Sequence, residues 1–237
     1  MILANVRQCL TRNDAQLALR LMTRGSTADY AEGEGVLRER GIDAVLDDPR
    51  LMAALLEQPQ GAFASLPLFT YVLVRNALRD AGEQDRVVAD FVASILLHFG
   101  MRQRAQKIRE HDDQIYGTLA ALLADVESAD PTRAFLVRAH LGNYALWLAG
   151  VFPDFIEAQR HRRGGPDLGY YDEMGQRGYR LAANHRLAQQ HGMDQFFESV
   201  ADRFGVLRVA LNRVSDRIFF AHVHSADKLM RQVRDHV

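Results

Sequence analysis

A single cysteine, Cys9, sets the first limit on this chain. With no second thiol there is no internal disulfide, and a Cys-rich zinc site is excluded. Poverty in cysteine suits a reducing compartment, and the cytoplasm is the expected location. Lysine is almost as scarce. Of 29 basic residues only Lys107 and Lys228 are lysines, and the other 27 are arginines. Arginine favours bidentate contacts to carboxylates or phosphates, yet a GC-rich genome produces the same bias without functional meaning.

Charge of one sign is also missing. The formal net charge is -1, whereas a protein that grips duplex nucleic acid usually carries a basic surplus. Long hydrophobic runs are absent too. Apolar stretches such as Phe69–Val74 and Phe91–Leu97 fall far short of the ~20 residues that span a bilayer. The first 24 residues include Arg7, Arg12, Asn13 and Asp14, which interrupt any secretory signal. No β-branched run alternates with polar residues long enough to make a strand, and no repeat recurs at a fixed period.

What the chain does have is helix punctuation. Ser65-Leu66-Pro67, Asp48-Pro49, Asp130-Pro131 and Pro153 read as helix starts, with Asp167 and Ser225 as further caps. Gly25, Gly41, Gly82, Gly100, Gly150, Gly192 and Gly205 read as helix stops. Apolar residues recur at three and four between these marks, as in Val88, Phe91, Val92, Ile95 and Leu96. The spacing predicts helices over 2–11, 14–24, 27–39, 49–57, 66–81, 85–99, 112–127, 131–149, 153–162, 168–190, 194–204, 206–220 and 226–235, with loops at Gln58–Ala64, Met101–Glu110 and Arg163–Asp167. The expected fold is all-α. It is a compact single domain over 1–237 with about ten or more helices, an orthogonal or irregular bundle around a buried central helix. Residues 1–60 are the one candidate for a loosely separate lobe.

The central helix is 131–149, PTRAFLVRAHLGNYALWLA, apolar over about two thirds of its circumference and therefore expected to be buried. Its remaining stripe holds Arg133, His140, Asn143, Tyr144 and Trp147. Buried polar groups need partners, because an unpaired one costs roughly 1–3 kcal/mol. Neighbouring helices can supply them, and so can a ligand. Arg138, on another face, calls for a carboxylate. Beyond it, Arg160, His161, Arg162 and Arg163 form a basic run near a helix end, which suits the helix dipole and also an anion. In 168–190, Met174, Gly178, Leu181, His185 and Ala188 share a face, and the small residues Gly175, Gly178 and Ala182 permit close approach of another helix.

Familiar chemistries are set aside by pattern. The Glu-x-x-His pairs of di-iron bundles and the His-Glu-x-x-His of zinc proteases do not occur. His111-Asp112 has no suitably distant histidine, and His222-x-His224 does not share a helix face. Ser225-x-x-Lys228 lacks the companion motifs of penicillin-binding enzymes. Nucleophile elbow, P-loop and dinucleotide fingerprint are missing. Cys9 is expected on the apolar side of the first helix, with Leu3, Val6 and Leu10, as a buried inert thiol. Neither cofactor nor metal is implied.

Two functional expectations follow. The first is a non-catalytic helical binding or protein-interaction protein of the bacterial cytoplasm, with an exposed apolar patch or a homo-oligomer face, no strong nucleic-acid signal and no membrane partner. The second is a small-molecule protein or enzyme, with an anionic ligand in a pocket between 131–149 and 168–190. There His140, Asn143, Tyr144, Trp147 and His185 line the pocket, and Arg160 and Arg163 hold the charge. Either way, far-ultraviolet circular dichroism is expected to show well over half helix. A strand-dominated spectrum would overturn the fold.

Overall fold

The computed structural model describes residues 5–23, 26–101, 104–109, 111–127 and 130–235. Gly25 and residues 2–4 of the first predicted helix, Leu3 among them, lie outside these, as do Arg102, Gln103 and Glu110 of the Met101–Glu110 loop. The described residues are 77% helical and contain no strand, so the all-α expectation is met. No helix among them is long and apolar enough to cross a membrane.

The chain divides into two compact units, Ile2–Leu97 and His98–Val237. The first contains a 3₁₀ turn at Arg7–Cys9, then α1 (Arg12–Thr23), α2 (Thr27–Arg40), α3 (Ile42–Leu46), α4 (Pro49–Glu57), a second 3₁₀ turn at Pro59–Phe63, α5 (Leu66–Asp80) and most of α6 (Arg86–Phe99). Asp48 caps α4 by accepting from the Arg50 amide, and Ser65 caps α5 by accepting from Leu68, as their sequence signals predict. Buried charge ties the helices together. The guanidinium of Arg75, 3% exposed, donates to Asp47 at 2.8 Å, Arg86 donates to the same carboxylate at 2.6 Å, and Arg79 donates to the Asp47 carbonyl. Burial pushes the Asp47 carboxyl up, but the hydrogen bonds from Arg75 and Arg86 outweigh it and hold the group below its ordinary value.

The second unit holds α7 (Leu119–Ala124), α8 (Pro131–Val151), α9 (Pro153–Arg163), α10 (Leu168–Ala183), α11 (Arg186–Gln190), α12 (Asp194–Asp202), α13 (Phe204–Val214), a π-helical turn at Ser215–Phe219 and α14 (Ala226–Arg234). As predicted, α8 is the buried element, with apolar side chains such as Val137, Leu141, Ala145 and Leu146 out of solvent on several faces. It packs most extensively against α10. A Cβ added at Gly178 would lie 2.6 Å from the Gly142 backbone nitrogen, and one added at Gly142 would lie 2.6 Å from the Tyr179 ring. The two backbones therefore meet where neither helix carries a side chain. Next to this contact the Tyr179 hydroxyl donates to Asn143 Oδ1 at 2.9 Å.

The other end of α8 presents carbonyls with no partner inside the helix. Helix α13 and the π turn that follows it supply the donors. Asn212 Nδ2 donates to the carbonyls of Ala149 at 2.7 Å and Gly150 at 2.8 Å, and Ser215 Oγ donates to Val151 at 2.7 Å. Farther along, Arg231 is 1% exposed and reaches Asp216 at 2.7 Å and Asp154 at 3.0 Å, which pins α14 to α9 and to the π turn.

Several predicted elements differ from those formed. Helix 168–190 is broken at Asn184-His185, where the His185 Nδ1 accepts from the Leu187 amide and starts α11. Predicted helix 112–127 is reduced to α7. The preceding segment instead carries Tyr116 into the interior, where its hydroxyl bonds Asp125 and accepts from Arg133 at 2.7 Å. The predicted 206–220 helix starts at Phe204 and changes to π winding at Ser215. Gly150 and Gly205 lie inside helices, and the five-residue α3 carried too little periodicity to be seen. Cys9 is exposed, because the chain there forms a short 3₁₀ turn, held by the Arg7 amide on Asp90 at 2.9 Å and the Asn5 amide on Ser94 at 3.2 Å.

Two alanine substitutions separate close approach from helix propensity. Gly178→Ala is expected to destabilise by about 1–3 kcal/mol or more, since its Cβ would meet backbone that cannot rotate away. Gly205→Ala, with nothing within 4 Å of its Cβ, is expected to be neutral or to stabilise by up to about 1 kcal/mol. Urea unfolding midpoints check the pair. Equal effects would contradict the close-packed α8–α10 contact.

Candidate functional site

The residues singled out on α8 do not all point to one place. His140, Tyr144 and Trp147 form a row, one helical turn apart. The His140 and Tyr144 rings stack with centroids 6.1 Å apart, and Tyr144 and Trp147 do so at 6.1 Å. Phe99 closes the row from the side, 5.3 Å from His140 and 5.9 Å from Trp147, and Phe152 meets Trp147 edge-on at 4.9 Å. Asn143 faces elsewhere and takes the Tyr179 hydroxyl. His185 stacks on Phe135 at 5.5 Å and spends its Nδ1 on the cap of α11. Arg160 and Arg163 stand exposed in the last turn of α9. Arg160 lies 3.7 Å from Glu157, one turn back. Arg138 finds the carboxylate expected of it in Glu127, at 3.8 Å, and also donates to the Val126 carbonyl at 3.3 Å.

The chemistry of the row is fixed by burial. His140 is 4% exposed, and its Nε2 lies 2.9 Å from the Ala105 carbonyl. A carbonyl only accepts, so Nε2 carries the proton and donates. Desolvation lowers the imidazole pKa to about 3, and the carbonyl bond opposes this only in part. At neutral pH His140 is thus a neutral donor locked on backbone, and a proton shuttle needs a group that titrates near its working pH. Burial also raises the Tyr144 hydroxyl above its ordinary value, although a bond to the Gln106 side chain lowers it. Where α8 meets α10, the space beside Gly142 is filled by the Tyr179 ring.

An open trough lies in the other unit. It has a volume of about 950 Å³ and is lined by residues of α1, α4 and the second 3₁₀ turn. Leu17 and Met22, half-buried, and Ala53, exposed, supply apolar surface over a floor of buried Leu21 and Ala54. Arg20, Arg50 and Glu57 bring charges of both signs. Gln58 belongs to the lining and donates to the Leu21 carbonyl at 2.9 Å, which joins the end of α4 to the end of α1. Phe63, another lining residue, is 81% exposed, and Leu56 of α4 and Leu66 at the start of α5 are exposed as well. A phenylalanine that uncovered gains nothing from folding, because its apolar area stays in water.

Sequence reasoning placed Phe63 in the loop Gln58–Ala64 and passed over it. The available signal was an aromatic side chain in a short connection, with no helical stripe to join. Leu17, Arg20, Leu21, Ala53 and Ala54 gave no such signal, since each fits an ordinary amphipathic helix. Among the described residues no group of three or more His, Cys, Asp or Glu side chains is arranged to hold a metal ion. Comparison with known proteins finds no matching family model, no matching curated protein and no matching solved structure.

The lowered pKa of His140 makes stability depend on pH. Its folded value lies below the ordinary 6.5, so the unfolded chain binds the extra proton and stability falls as pH drops through 6.5 towards about 3. From pH 7.5 to 5.5 this one group is expected to remove about 1.4 kcal/mol, and His140→Gln should lose correspondingly less over the same interval. Urea titrations of both proteins at the two pH values check this. Equal pH slopes would show that His140 is not held neutral.

Proposed function

We propose that the protein is a non-catalytic, helical protein-interaction module, and that the trough of its N-terminal unit receives an apolar surface presented by a protein partner. The observation that carries this reading is Phe63, 81% exposed on a trough whose open apolar lining is Leu17, Met22 and Ala53. Single exposed apolar side chains are ordinary, but a contiguous apolar surface with a charged rim marks an interaction site. Aromatic side chains near the centre of such surfaces commonly supply much of the binding energy. The trough also lacks the cluster of interacting titratable groups that acid–base chemistry needs. Among its described lining residues only Glu57, Arg20 and Arg50 are ionisable, and arginine stays protonated. The exposed Cys9 thiol suits the reducing bacterial cytoplasm.

Photocrosslinking in the host cell tests the reading. Phe63→benzoylphenylalanine is expected to give a few discrete protein adducts on illumination, and the same replacement at exposed Glu198 on α12 should not give them. Adducts missing at position 63, or identical at both positions, would overturn the assignment.

A further inference from the structure

The partner can be read from the trough itself. We infer that its occupant is a second copy of this chain, joined through a two-fold contact in which α4 lies antiparallel to the α4 of the other copy. The inference rests on the interaction reading above and adds the identity of the partner.

Three features of one patch complement themselves. The first is charge. Arg50, Ala53, Ala54 and Glu57 all line the trough, and their spacing of three, four and seven places them along one face of α4. Arg50 and Glu57 therefore stand about 10 Å apart along the axis, at opposite ends of the stripe. A two-fold axis at its middle brings each Arg50 to the Glu57 of the other copy, and a patch that meets itself in this way needs both signs. The Arg50 side chain is 70% exposed, so although it bonds Asp48 it still has donors facing solvent. The second feature is size. The exposed Ala53, beside the buried Ala54, occupies the centre of the stripe, where crossing helices come closest. The third is shape. The patch carries both a projecting ring, Phe63, and an apolar trough beside the half-buried Leu17 and Met22, so the two-fold seats each ring in the trough opposite. A heterologous partner would not require knob, hole and both charges on the same surface.

Sedimentation of the purified full chain over a concentration series tests the inference. Wild type is expected to dimerise. Arg50→Glu and Glu57→Arg should each weaken dimerisation by about tenfold or more, because each places like charges together twice. Both substitutions suit the dipole of α4, acid at its start and base at its end, but Arg50→Glu also gives up the exposed bond to Asp48, so urea unfolding midpoints of each variant are compared alongside. Mixing the two single variants should restore a dimer. In that mixed pair one copy presents acid at both positions and the other presents base at both, so each of the two charge contacts is again attractive. The double variant should also recover wild-type affinity. A wild type that stays monomeric, or a dimer indifferent to both reversals, would overturn the inference. If position 63 nonetheless crosslinks to a different protein, the interaction reading stands and the second copy is excluded. If it crosslinks to nothing, both fail.

Discussion

The contact between α8 and α10 at Gly142 and Gly178 is the constraint on which the second unit depends. Helix α8 is buried on nearly every side, so its neighbours must come close enough to exclude water and still satisfy each polar group it carries. The glycines provide the closeness, and the Tyr179–Asn143 bond provides the polar match at the same spot. The remaining polar groups of α8 follow from this placement. His140 is held against the Ala105 carbonyl, and the terminal carbonyls from Ala149 to Val151 are covered by Asn212 and Ser215. Conversion of the chain to π winding at Ser215 accompanies that last bond. The unit is thus organised around satisfying one helix that has no wet face.

This accounting changes what the polar stripe of α8 means. Histidine, asparagine, tyrosine and tryptophan on a buried helix are the residue types that line ligand pockets, and they are equally the types that finish a helical core. The structure engages His140, Asn143 and His185 with protein partners. Tyr144 and Trp147 are packed in an aromatic row with Phe99 and Phe152. The N-terminal unit shows the reverse pattern. Its interior is tied by charge, around Asp47 and Arg75, while an aromatic ring that belongs in a core lies in water at Phe63.

Much of the fold was legible in the sequence because its signals are local. Asp48, Ser65, Asp130, Asp167 and Ser225 each cap the helix they were read as starting. The burial of α8 followed from its composition alone. What escaped depended on distant partners. Tyr116 leaves helical spacing because Asp125 and Arg133 claim its hydroxyl. His185 ends one helix and begins another because its ring nitrogen serves better as a cap than as a core group. The trough was hidden for the same reason. Leu17 and Leu21 obey the rule for a core stripe, and only the tertiary structure shows that Leu21 is covered while Leu17 stays partly open beside the trough.

Hydrogen–deuterium exchange of the whole chain, compared at low and high protein concentration, tests the central claim that the trough is a protein-binding surface used by a second copy. The account predicts added protection at high concentration over 17–22 and 50–63, with the rest of the chain unchanged. Protection that appears instead on another surface, such as the exposed Leu229 and Met230 of α14, or no change at any concentration, would contradict it.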